Sequence, residues 1–147
     1  MKTLWNAPAR QDVRQRLARL TPGSNRRWGT MSAPQMVAHL VDAMRMAIGE
    51  LPVPSKNLPL RYTPIKQLII YCLPFPKGAP TAPQLVSRAP GDWPSECATL
   101  LTLIDRFAEG DRGAAWPEHP AFGRLTGSNW GVLAYRHIDH HFKQFGV

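Results

Sequence analysis

Apolar residues recur at helical spacing in four stretches of the chain, and no stretch shows a convincing strand alternation. The first covers about residues 7–20, where Val13, Leu17 and Leu20 form a narrow stripe. Asn6 is its expected cap, Pro8 suits the first turn, and Thr21-Pro22-Gly23 ends it. The second covers about residues 33–48. Ser32 and Gln35 have capping-box spacing, and Met36, His39, Leu40, Ala43, Met46 and Ala47 share one face. The third covers about residues 93–109, capped by Asp92, with a wide apolar face made by Cys97, Leu100, Leu101, Ile104, Phe107 and Ala108. The fourth covers about residues 127–145, with Thr126 as cap and Gly146 placed to stop it.

Between the second and third stretches lie residues 50–92, which hold most of the fifteen prolines. An apolar patch at 65–73 predicts a helix of about two turns, and the rest reads as ordered loop. Four helices of this size predict an all-α, four-helix bundle in one domain, residues 1–147. The dozen-residue loops joining helices one to two and three to four suit antiparallel neighbours. The connection of about 43 residues can run the length of the bundle, which predicts an up-down-down-up order.

Composition narrows the class. Apolar residues at 44% and charged residues at 19% exclude a disordered chain. No apolar run is long enough to cross a membrane, and the first residues lack a signal-peptide core. Cys72 and Cys97 form no CxxC pair and read as buried thiols in a reducing, cytoplasmic protein. The net charge is +8. Residues 1–27 carry Lys2, Arg10, Arg14, Arg16, Arg19, Arg26 and Arg27 against Asp12 alone. That excess admits a nucleic-acid partner, but no aromatic residues interleave with the basic ones, and a solvated helix face is the stronger reading.

The histidines carry the chemistry. His137 and His141 are four residues apart on the fourth helix, so both project from one face and can grip one ion. They share the row of Trp130, Leu133, Ala134 and Gln144, which faces the core. His39 lies in the apolar row of the second helix. If those two helices meet, the three imidazoles leave one position open on a divalent ion, as catalytic sites do. His119, before a proline, reads as a loop-ordering hydrogen-bond group, and the role of His140 stays open. Asp42 and Gln144 are the catalytic candidates, the first as base or ligand-orienting group, the second as a partner of a histidine or bound water. Each has a plainer alternative: a surface carboxylate and a helix-end contact. Tyr135 lies off the histidine row and reads as packing, while Arg61 and Arg88 of the long connection could meet an anionic thiol cofactor, with solvated arginine as the default reading.

These residues resemble the DinB-like (YfiT-like) superfamily of small bacterial metal-binding four-helix bundles, within it a subfamily of unknown function. The resemblance rests on Trp28-Gly29, Met31, Gln35-Met36, His39-Leu40 and Asp42, then Lys77-Gly78, Pro80-Thr81-Ala82-Pro83 and Glu96. His119-Pro120 with Phe122-Gly123, Trp130-Gly131 and the closing run from Tyr135 to Gly146 complete it. It implies the up-down-down-up bundle and a zinc, nickel or iron ion held by His39, His137 and His141. It further implies metal-dependent enzymes, either S-transferases using a low-molecular-weight thiol or hydrolases acting on a small-molecule substrate. A non-catalytic module binding a metal or small ligand is the alternative, and a homodimer stays open.

Overall fold

The computed structural model describes residues 1–56, 58–78 and 82–147, so Pro80 and Thr81 of the proline-rich motif lie outside the described residues. Those residues form five α-helices and no strand: α1 (Ala7–Leu17), α2 (Ala33–Ala47), α3 (Ile65–Tyr71), α4 (Trp93–Glu109) and α5 (Gly127–Gln144). Two short 3-10 turns, Pro59–Arg61 and Pro83–Leu85, sit in the long connection. Among the described residues, no helix is long and apolar enough to cross a membrane.

The helix ends follow local chemistry. Ser32 Oγ accepts from the Gln35 amide and Gln35 Oε1 accepts from the Ser32 amide, a reciprocal box that satisfies two otherwise orphaned donors. Thr126 and Asn129 repeat it at α5, and Asp92 accepts from the Ser95 amide at α4. Asn6 departs from expectation: its side chain makes no capping bond, and its carbonyl takes the Ala9 and Arg10 amides instead. α1 stops at Leu17, not residue 20, because the last turn tightens. The Arg19 and Leu20 amides bond three residues back.

α2 packs against α4 and α5, and α1 packs against the same two helices. α1 does not pack on α2, nor α4 on α5, so the expected neighbour pairs are diagonal to each other. Charged pairs fix the alignments. Asp12 accepts from the Tyr135 hydroxyl at 2.9 Å, and Arg16 reaches Asp139 at 2.8 Å. Arg88 spans Asp42 and Glu96, while Arg106 reaches Glu50 one end further along, at 2.6 Å. The core between the helices is dominated by Met36, Leu40, Leu100, Ile104, Phe107, Ile138 and Phe142, all essentially buried. Tyr135 is buried as expected. Cys97 is half-buried and packed on the core, but Cys72, at the end of the short α3, is exposed rather than buried.

The basic first third is largely engaged within the fold. Arg14 pairs with Asp105, and the buried Arg16 adds the Val147 carbonyl to its aspartate partners. Arg88 is likewise no solvated arginine. It is part of the long connection and lashes it to α2 and α4, while Asp42, with a surface carboxylate as its plainer reading, is 3% exposed. The Arg88 guanidinium holds the Glu96 carboxyl below its ordinary value of 4.5, against the opposing effect of burial.

Replacing Arg88 with Met leaves the buried Glu96 without its cation and Asp42 with Arg45 alone, which costs about 3 kcal/mol at neutral pH. Urea unfolding measures it. The depressed pKa of Glu96 adds stability above its unfolded value, and that stability is lost as pH falls through the folded one. The deficit of Arg88→Met therefore narrows as pH drops below about 4.5.

A second test concerns α5, where the N-terminal segment crosses at Gly131. The Leu4 amide donates to the Gly131 carbonyl at 3.0 Å, and the Trp5 indole to that of Gly127 at 2.7 Å. A Cβ on Gly131 would run into the Trp5 ring and the Thr3 hydroxyl. Gly131→Ala should lose roughly 1–3 kcal/mol, as overpacked sites do, with the loss read from the midpoint of the same urea transition.

Candidate metal centre

α2 brings His39 to face His137 and His141 of α5. Nε2 of His39 lies 3.0 Å from Nε2 of His137, which lies 3.1 Å from Nε2 of His141. One ligand nitrogen from each ring falls within 4.8 Å of the others, and the ring centroids are 4.8–4.9 Å apart. Two imidazole nitrogens on one tetrahedral zinc, each about 2.1 Å from it, sit roughly 3.4 Å apart. The His39–His137 and His137–His141 spacings are close to that.

The outer nitrogens decide which atoms are free to bind. His39 Nδ1 lies 3.0 Å from the Leu85 carbonyl oxygen. An oxygen of that kind only accepts, so Nδ1 carries the proton and Nε2 keeps its lone pair. At His141 the same result comes through a side chain. Gln144 Nε2 donates to the Trp28 carbonyl at 2.8 Å, which turns Gln144 Oε1 toward His141 Nδ1 at 3.0 Å. Gly29 lies against this amide with φ 77, and a Cβ there would meet Gln144 Nε2. Glycine admits both the backbone angle and the approach. The Arg27 amide closes the join by donating to the Gln144 carbonyl at 2.6 Å.

The electrostatics favour neutral rings. Burial pushes His39 below its ordinary value and His141 down to about 3, the latter helped by the nearby His39. His137 falls well below its ordinary value, first through burial and then through His141 and His39. Neutral imidazole is the form that binds a metal ion. Beside His137 an apolar cavity of about 40 Å³ runs between Leu40, Ala43 and Ala47 of α2 and Trp130, Leu133 and Ala134 of α5.

The remaining residues separate by position. Gln144 is buried and bonded to His141. Asp42 is one turn along from His39, with its oxygens taken by Arg88 and Arg45. His119 accepts the Ala121 and Phe122 amides on Nδ1, at 3.1 and 3.2 Å, and so orders its loop. Burial holds it at about 4. His140 lies outside the triad, its ring 5.4 Å from that of His141. Arg61 reaches Glu118 rather than the triad. The Leu85 and Trp28 carbonyls were invisible to residue-by-residue reading, because any side chain presents the same backbone oxygen. The Trp28-Gly29 pair was the available signal for the second.

Residues 5–146 match a family model described as "Protein of unknown function (DUF1569)". The match spans nearly the whole chain, which therefore belongs to that family. No curated protein and no solved structure matches it.

Gln144→Leu keeps the packing volume but removes the acceptor that orients His141. Loss of such a partner typically weakens metal binding 10- to 100-fold. Competition with a chromophoric chelator reads this directly, with near-native helicity expected by circular dichroism.

Proposed function

With membership of that family as the premise, we propose that the chain binds one divalent ion through His39, His137 and His141 and uses it as a metal-dependent enzyme on a small molecule. The observation that supports this is the convergence of three Nε2 atoms, two of them held as free lone pairs by carbonyl acceptors on the far side of the rings. The donor set fits zinc, nickel or iron. A three-histidine site leaves a coordination position unclaimed by protein, the mark of catalytic rather than closed sites. When bound, a divalent cation supplies Lewis acidity that favours the deprotonated form of a water or thiol ligand.

The chain's own part is positional. α2 and α5 set the ring spacing, Leu85 fixes the tautomer of His39, and Gln144 fixes that of His141. Asp42 supports the site indirectly: through Arg88 it ties the segment bearing Leu85 to the helix bearing His39. Thiol S-transfer and hydrolysis are the two reactions within this reading, and the thiol enters through the DinB-like resemblance alone. The up-down-down-up topology belongs to the proposal too. It is supported by pairs that advance together along α1 and α5, and along α2 and α4. His39 meets His141 while Ala47 and Trp130 line one cavity, which supports opposed directions for α2 and α5.

Elemental mass spectrometry on untagged protein tests the metal. About one divalent ion per chain is expected, with loss in His137→Ala. Absence of metal after incubation with zinc and nickel would reduce the triad to a buried polar cluster. Bound metal with no turnover in thiol-transfer and hydrolysis screens would favour the binding-module reading.

A further inference from the structure

Four side chains outside the triad cluster on the His140 side of His141 and have no part in the scheme above. The His140 ring lies 6.0 Å from both the Trp28 and the Phe75 ring, and 5.4 Å from that of His141. Lys77 Nζ lies 4.6 Å from the Trp28 ring centroid. Trp28, Phe75 and His140 are half-buried and Lys77 is exposed. Among the described residues, Lys77 makes no ion pair and neither His140 nitrogen has a hydrogen-bond partner.

The aromatic members are anchored to α5 independently of any ligand. Trp28 is tied through its carbonyl to Gln144, while its half-buried indole meets only Lys77 and His140 among the aromatic and cationic groups of the described residues. Phe75 is held from the other side. Arg136 donates to the Ile69, Ile70 and Leu73 carbonyls, and its guanidinium covers the Phe75 ring at 5.0 Å. The result is two aromatic rings on one imidazole and one cation without an anionic partner among the described residues, beside His141 of the triad. Aromatic rings stack on an uncharged planar body, and an ammonium beside them pairs with a carboxylate attached to it.

We infer that Trp28, Phe75, Lys77 and His140 form a subsite for the planar, carboxylate-bearing part of a small organic acid, next to the metal centre. This rests on the metal reading, and it names the substrate class for that site. Lys77 meets the carboxylate, the rings of Trp28 and Phe75 take the planar body, and His140 supplies the hydrogen-bonding edge nearest His141.

The test is calorimetric titration of full-length, cobalt-loaded protein with benzoate and with acetate. Benzoate should bind about tenfold more tightly than acetate, since only benzoate engages the rings. Lys77→Gln should weaken benzoate about fivefold. Trp28→Leu keeps the backbone carbonyl and should weaken benzoate about three- to fivefold while leaving acetate unchanged. Phe75→Leu serves the same purpose should Trp28→Leu fold poorly. Equal affinity for the two acids, or benzoate affinity unchanged in Lys77→Gln at native metal content, overturns the subsite and leaves the metal centre intact. If the wild type takes no metal, the metal reading fails. The same titrations on the metal-free protein then decide the subsite: binding weakened in Lys77→Gln supports it, and no binding removes it.

Discussion

Two imidazole nitrogens, those of His39 and His141, each about 3 Å from a third on His137, are the constraint around which this fold is arranged. Protonating the rings is costly there, because each is enclosed and each faces the others. Leaving them neutral aims unshared electron pairs into a confined space. One proton on the central His137 nitrogen relieves this in part, and a cation relieves it fully. The remaining structure has to hold the rings in place, and two backbone carbonyls contribute, that of Leu85 directly at His39 and that of Trp28 through the Gln144 amide at His141. An oxygen on the main chain cannot rotate away or change protonation state, so it fixes a tautomer more firmly than most side chains.

That division of labour explains the proline-rich connection. Its length is unnecessary for joining two helices, but Leu85 within it supplies the acceptor behind His39. Arg88, three residues on, fastens the segment to Asp42 and Glu96. A buried ion pair of this kind adds little net stability over apolar packing, yet removing its cation is expensive. It serves here to specify where the connection lies. On the opposite side, the 27–29 turn does the same for His141 through Gln144, and Gly29 is the residue that lets the turn come close. The two ligand helices are thus braced from two separate loops.

Much of this was legible in the sequence because it depends on periodicity. The caps at Ser32, Asp92 and Thr126, the apolar faces of α2, α4 and α5, and the i, i+4 spacing of His137 and His141 all follow from the geometry of one helix. What failed depends on relations between elements. Loop length suggested that successive long helices are neighbours, whereas α1 lies against α4 and α5. Asp42 looked like a surface carboxylate because the arginine that pairs with it, Arg88, lies 46 residues away. Cys72 looked buried in an apolar run, but α3 is too short and too peripheral to turn all its sides inward. The backbone acceptors at Leu85 and Trp28 leave no side-chain signature at all.

The central claim is that one ion sits among three histidines of this chain. X-ray absorption at the zinc edge of the zinc-loaded protein reads the donor set without reference to activity. The account predicts three imidazole ligands, recognised by their multiple scattering, at about 2.0–2.1 Å, with one further light-atom ligand and no sulfur. A sulfur shell near 2.3 Å, or fewer than three imidazoles per zinc, would contradict it.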